Sequence, residues 1–323
     1  MENMATIKDF YQGARPKTLS AAISPILIGV SLAIGNTWSS KNISTCPSTA
    51  NCVVTKEYFY SIFNFNVAIA CLIVSLSLQI GINYANDYSD GKKGTDDVRV
   101  GPMRLVGSGI ASAKSVFIAM CISFFVASIA GIYVASQSSW WLILIGIFCI
   151  ALAYLYTGTK FAYGYFGFGE IVVFICFGLV ATVGTFYSLT GRVTALSIAG
   201  SVIPGMFSVS ILLANNIRDI ETDRESNKKT LPARIGKNKA QILFTISLLL
   251  VVLAIGAIAS KYDYVIFVLV ISVFLGGINR KMRNAKTPKD YISILVATSK
   301  FNLITSVLVS VLIFASIKEI FNK

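Results

Sequence analysis

The chain has 323 residues, 55% of them hydrophobic and 13% charged, with a mean hydropathy of +0.71. A soluble domain carries roughly 25% charged residues, so an ordinary soluble enzyme is excluded. The net charge is +13, from 28 Lys and Arg against 15 Asp and Glu, and there is no His. The usual general base and commonest transition-metal ligand is therefore missing, and any bound metal should be a hard cation held by carboxylates.

Residues 1–18, MENMATIKDFYQGARPKT, lack the apolar run and small-residue cleavage site of a signal peptide. The first hydrophobic segment is thus expected to stay in the mature protein. At about 20 residues per crossing, nine apolar segments follow: about 19–35, 62–85, 115–135, 139–156, 168–189, 196–214, 241–260, 264–278 and 292–317. The predicted fold is an all-α polytopic membrane protein with about nine transmembrane helices, the whole of 1–323 forming one domain. The short gaps at 136–138 and 261–263 predict antiparallel hairpins.

Charge sets the expected orientation. The N-terminus and every second connection carry 21 of the 28 Lys and Arg, and the opposite connections carry 6; Lys300 falls inside the last segment. The side richer in Lys and Arg faces the cytoplasm, which places the N-terminus inside and the C-terminus outside. A basic excess also suits nucleic acid in soluble proteins, but here it is spread over several membrane loops, so no nucleic-acid partner is expected. Cys46 and Cys52 fall in the first external loop, where a disulfide is chemically allowed. Cys71, Cys121, Cys149 and Cys176 lie in the segments themselves and read as small apolar residues.

The acidic residues are concentrated in two windows. Asp87, Asp90, Asp96 and Asp97 follow the second segment, and Asp219, Glu221, Asp223 and Glu225 follow the sixth. Four segments separate the windows, so both face the basic side. Asn83 with Asp87, and Asn86 with Asp90, are spaced i, i+4, as are Asn215, Asp219 and Asp223 in turn, and on a helix each set shares one face. A carboxylate inside a membrane costs roughly 2.5–3.5 kcal/mol at a helix centre and less near the interface. Mg²⁺ held by one or two carboxylates together with substrate phosphates gives such clusters a reason. The arrangement predicts a diphosphate clamped between two acidic stripes, with Arg and Lys offsetting the remaining charge. The ordinary alternative is loop charge at helix ends. Recurrence of the pattern suggests a duplicated four-helix unit, about 15–160 and about 165–290, followed by a final helix at 292–317.

At these residues the chain resembles the UbiA-type membrane prenyltransferase superfamily, and within it the branch that prenylates a dihydroxynaphthoate in menaquinone biosynthesis. The likeness runs through Ala14-Arg15-Pro16-Lys17-Thr18-Leu19, the N-D-Y-x-D-x-x-x-G-x-D pattern from Asn86 to Asp96 with Arg99 and Arg104, Tyr156-Thr157-Gly158, and Gly167-Phe168-Gly169-Glu170. It continues through Asn215-Asn216-Ile217-Arg218-Asp219 to Asp223-Arg224, then Lys228, Thr230, Leu231 and Arg234. Asn227 stands where relatives often have Gly. The resemblance implies a nine-helix bundle, Mg²⁺ as cofactor, a polyprenyl diphosphate donor, a 1,4-dihydroxy-2-naphthoate acceptor and membrane lipid as surroundings.

The expected roles follow. Asp87, Asp90, Asp96, Asp219 and Asp223 hold Mg²⁺, with Asp90, Asp219, Asn86 and Asn216 at the catalytic centre. Arg218, Lys228, Arg104 and Asn215 bind substrate. Arg15 meets the acceptor carboxylate or serves as an interfacial anchor. Aromatic residues near Tyr156, Phe161, Tyr163, Tyr165 and Tyr187 line an isoprenoid tunnel or belong to ordinary packing. Glu170 and Lys300, charged within segments, are functional candidates, and Lys300 is also placed to snorkel. Two alternatives stay open: another aromatic, haem or lipid acceptor in the same fold, and an anion transporter.

Overall fold

The computed structural model describes residues 5–44, 63–93, 104–155, 163–262 and 265–321. Its regular structure is helical throughout those residues. The helices are α1 (Ile7–Gly13), α2 (Ser20–Ser44), α3 (Phe65–Lys93), α4 (Ala113–Gln137), α5 (Leu142–Leu155) and α6 (Gly169–Thr190). They continue with α7 (Ala195–Arg218), α8 (Ile220–Glu225), α9 (Leu231–Ile235), α10 (Lys237–Tyr262), α11 (Val265–Asn284) and α12 (Pro288–Phe321). Seven of them, α2, α3, α4, α6, α7, α10 and α12, are long and apolar enough to cross a membrane, which makes this a multi-pass membrane protein. The other two expected segments form α5, an apolar helix of 14 residues, and α11, whose last turn is basic with Lys281 and Arg283.

Side-chain bonds fix the helix directions. Ser20 pairs with Ser299 at 2.7 Å and Ser31 with Ser310 at 3.2 Å, so α2 and α12 run parallel. Gln241 donates to the Met282 carbonyl at 2.8 Å, and Thr245 to Asn279 Oδ1 at 2.8 Å, so α10 and α11 run antiparallel. Hydroxyls suit these seams because a Ser side chain takes little room and hydrogen-bonds where no water reaches.

The main core joins α2, α7, α10, α11 and α12 through Ile28, Leu32, Phe207, Phe244, Ile271 and Ile294. A smaller one surrounds the end of α3, with Ala14, Tyr84, Leu105, Val116 and Met120. The outer faces of α4, α5 and α10 expose Phe125, Ile129, Leu144, Phe148 and Leu253, as a lipid-facing surface requires. The middle of α6, Phe174–Val183, is π-helical. Here α6 crosses α7 at closest range: a Cβ on Gly178 would lie 2.9 Å from the Ser201 carbonyl oxygen and 3.0 Å from the Gly205 Cα.

Candidate active site

The first acidic window stays on helix. Because α3 continues to Lys93, Asn83, Asp87 and Asp90 lie on one face at i, i+4, i+7, and all three are buried. Asn83 Nδ2 donates to the Ala14 carbonyl at 2.8 Å and the Tyr84 hydroxyl to the Phe10 carbonyl at 2.8 Å. These bonds dock α1 and the following turn, where Arg15 has a left-handed backbone (φ 55), against the helix end. Asp87 binds the chain that comes after it: its Oδ2 accepts from Leu105 N–H at 2.8 Å and its Oδ1 from Val106 N–H at 2.9 Å. Residues 104–106 thus lie against α3, and Arg104 reaches Asp90, with Nη2 3.3 Å from Oδ2. Asn86 is half-buried on the same helix end.

The second window is bent rather than continuous. α7 ends at Arg218, Asp219 caps it (φ −97, ψ 11), and α8 starts at Ile220. The expected stripe of Asn215, Asp219 and Asp223 is therefore interrupted. The buried polar set is Asn216, Asp219 and Asp223. The Arg218 guanidinium grips Asp219 with two bonds, Nε to Oδ1 at 2.6 Å and Nη2 to Oδ2 at 2.7 Å, and donates to Asn215 Oδ1 at 2.9 Å. Asp223 accepts from the Thr230 hydroxyl at 2.9 Å, and its carbonyl accepts from Lys228 N–H at 2.7 Å. Asn227 occupies the left-handed region (φ 56), where Gly and Asn are the residues at least cost. Asn227 thus suits the turn.

Tyr165 joins the two windows. Its hydroxyl donates to Asp90 Oδ1 at 3.4 Å, its carbonyl accepts from Lys229 N–H at 3.0 Å, and its ring lies 5.2 Å from Lys228 Nζ. Gly167 follows with φ +80, packed against Lys229, Leu231 and Arg234, so no β-carbon is favoured there. At the start of α6, the buried Glu170 accepts from Asn216 Nδ2 at 3.1 Å. The ends of α3 and α7 and the start of α6 thus meet at one place. Sequence reasoning placed Tyr165 only among the tunnel or packing aromatics, because a contact across 75 positions leaves no periodic trace.

Beside this cluster lies an apolar cavity of about 540 Å³ among α2–α6, lined by residues such as Ile26, Val74, Leu78 and Phe177. Tyr163 and Tyr187 line it, as do Cys71, Cys149 and Cys176, whereas Tyr165 does not. Cys121 is exposed on α4, and Lys300 is exposed on α12. Asp96, Arg99, Tyr156, Phe161, Cys46 and Cys52 lie outside the described residues.

The donors suit a hard cation. Asp87, Asp90, Asp219 and Asp223 present only oxygen, and a carboxylate has about four lone-pair sites, more than the bonds above occupy. Among the described residues no group of three or more acidic, Cys or His side chains could close around one ion. Mg²⁺ takes one or two carboxylates and completes its shell with water and substrate phosphates.

Residues 58–313 match the UbiA prenyltransferase family. The chain belongs to that family. Among its UbiA relatives is a 1,4-dihydroxy-2-naphthoate octaprenyltransferase of Mycobacterium leprae, 42% identical over 241 residues, which are 75% of this chain and 74% of that one. A Bacillus subtilis protein of the same name is 30% identical over 321 residues, 96% of this chain and 93% of that one. The fold is that of a UbiA homologue from Archaeoglobus fulgidus solved with DMAPP and Mg²⁺, with a TM-score of 0.61 at 15% identity over 96% of this chain and 99% of that one.

Proposed function

We propose that this UbiA-family protein transfers a polyprenyl group from polyprenyl diphosphate to 1,4-dihydroxy-2-naphthoate, releasing diphosphate and CO2 and yielding demethylmenaquinone in its reduced, quinol form. The observation that carries the reading is the Tyr165 bridge, which sets two buried acidic helix ends side by side next to an apolar cavity. The naphthoate acceptor rests on the relatives named octaprenyltransferases, and the Mg²⁺–diphosphate pairing on the archaeal homologue.

In this reading Asp90, Asp219 and Asp223, with Asp96, hold Mg²⁺ on the donor diphosphate, and Asp87 chiefly anchors the loop that brings Arg104 inward. Bound Mg²⁺ neutralises charge on the departing diphosphate. Arg218, Arg104 and Lys228 supply fixed positive charge beside it, and Asn86, Asn215 and Asn216 orient the carboxylates. The allylic C–O bond breaks with its electron pair on diphosphate. The ring carbon bearing the carboxylate bonds to the allylic carbon. The bond to the carboxylate then breaks, returning its pair to the ring as CO2 leaves. Loss of CO2 in place of a ring proton fits a chain without His. Tyr163 and the cavity wall shield the isoprenoid from water, and Arg15 meets the acceptor carboxylate.

The bundle is read as nine crossings in one domain with a repeated four-helix unit. The end of α3 and the start of α6 share a face, which requires both α4 and α5 to cross between them. Lys237 at the start of α10 donates to Ala285, just past α11, at 3.1 Å, which requires α11 to return. With the excess of Lys and Arg on that face, the N-terminus and the site are cytoplasmic and the C-terminus is outside.

Purified protein given a polyprenyl diphosphate, Mg²⁺ and 1,4-dihydroxy-2-naphthoate should form prenylated naphthoquinol and CO2. Use of 4-hydroxybenzoate instead would reject the acceptor assignment.

A further inference from the structure

The chain between α8 and α9 folds around a small basic cavity. Asn227, left-handed at φ 56, turns the chain out of α8. Its N–H donates to the Arg224 carbonyl at 3.2 Å, and Lys228 N–H donates to the Asp223 carbonyl at 2.7 Å. The Arg224 side chain then reaches across nine positions, its Nε and Nη2 donating to the Ala233 carbonyl at 3.1 and 3.0 Å. The space so framed is about 150 Å³ and is lined by Arg224, Asn227, Lys228, Lys229, Ala233 and Arg234.

Four of those six residues are cationic and none is acidic. Asp223 and Glu225 flank Arg224 in sequence, yet among the described residues none of the four cations makes an ion pair. Asp223 is instead bonded to Thr230. A carbonyl holds the Arg224 guanidinium in place without removing its charge, and two bonds leave three of its five N–H groups. Like charges gathered around one cavity repel, and an anion inside it offsets that repulsion. A carboxylate brings a single charge. A phosphate group brings more oxygens, matches the Arg fork and accepts from Lys as well. Sites for drug-sized ligands start at about 300 Å³, so this cavity encloses the phosphate and leaves the rest of a larger molecule outside.

We propose that this cavity is a second anion site, built for a phosphate group and separate from the acidic cluster. None of Asp90, Asp219 and Asp223 lines it, so binding there needs no Mg²⁺. Lys228 stands at the boundary, with its Nζ 5.2 Å from the centre of the Tyr165 ring. Two sources bring a phosphate group to this face: the headgroup of an anionic phospholipid, and diphosphate free in solution.

Equilibrium binding to the full chain in a neutral detergent, with EDTA present, tests this. The probes are inorganic diphosphate and short-chain phosphatidylglycerol, with phosphatidylcholine as the zwitterionic control. At least one anionic probe should saturate a single site, and the tighter of the two identifies the source. Lys229 and Arg234 are exposed, so replacing them should leave the melting temperature unchanged. Lys229→Gln combined with Arg234→Gln should weaken binding about tenfold or more, and Lys229→Arg combined with Arg234→Lys should return it to roughly the wild-type affinity. Asp90→Asn should bind the same probe as wild type does, even where its Mg²⁺-dependent binding of prenyl diphosphate is lost, which separates this site from the prenyl-transfer reading. Absence of saturable binding, equal binding of phosphatidylcholine, or an undiminished affinity in the double Gln variant would overturn the proposal. Loss of binding in Asp90→Asn would assign the anion to the acidic cluster and overturn it too.

Discussion

Asp87 and Asp219 look alike in sequence and differ in their partners. Both oxygens of Asp87 hold backbone N–H groups of the returning loop, whereas Asp219 is gripped by Arg218 beside Asn216. An Asn at 87 cannot accept at both positions, and a buried unsatisfied amide costs about 1–3 kcal/mol. Asp87→Asn should therefore lower the melting temperature in detergent by several degrees and keep part of the turnover, while Asp219→Asn, which also leaves the buried Arg218 guanidinium without its carboxylate, should abolish turnover. Equal melting with equal loss of activity would remove the distinction. At Asn227 the left-handed backbone costs a β-branched residue about 1–2 kcal/mol. Asn227→Val should be less stable than wild type by about that amount in a denaturation series, and Asn227→Gly should match wild type. Tyr165→Phe loses one hydrogen bond to Asp90, worth about 0.5–1.5 kcal/mol, so kcat/KM should fall roughly twofold to tenfold.

Single helices and their crossings are the next level. Gly178 and Gly205 let the backbones of α6 and α7 touch, and this contact presents Glu170 to Asn216. Adding a methyl group forces the helices apart, at a cost of about 1–3 kcal/mol for overpacking. Gly178→Ala should lower the melting temperature and raise KM for donor together, since α6 also walls the cavity. Gly256→Ala on α10, where nothing lies within 4 Å of the added carbon, should do neither. Much at this level was legible in the sequence. Hydropathy located the long helices, and the i, i+4 spacing of Asn86 and Asp90 placed them correctly on helix. The break at Asp219 was not legible, because the turn depends on the Arg218 grip and on Thr230 reaching Asp223. Nor was the return of residues 104–106 onto Asp87, a contact with no period and no distinctive composition. The π-helical centre of α6 has no sequence marker beyond its apolar run.

For the molecule as a whole, the parallel α2 and α12 and the antiparallel α10 and α11 agree with the proposed threading, which puts the acidic ends on the basic face. In a Cys-less background, single cysteines replacing Lys239 and Lys286 should react with an impermeant thiol reagent only from the cytoplasmic side, and one replacing Arg192 only from the other. Reaction of all three from one side would reject the threading. The charge count is the basis of the proposed orientation, and the two acidic windows, expected on one side, meet through Tyr165. What the chain's pattern alone left open was how windows some 130 positions apart meet, and Tyr165 supplies the link by reaching Asp90 with its hydroxyl and Lys228 with its ring.

That link is the central claim, and Mg²⁺-dependent donor binding tests it most directly. A non-reactive prenyl thiodiphosphate would be titrated onto wild type, Asp90→Asn and Asp219→Asn across a range of Mg²⁺ concentrations. If both helix ends serve one diphosphate site, each variant should lose about 100-fold in Mg²⁺-dependent affinity, and the double variant should lose little more than either alone. Losses that multiply in the double variant, or wild-type affinity in either single one, would show two independent sites and contradict the account.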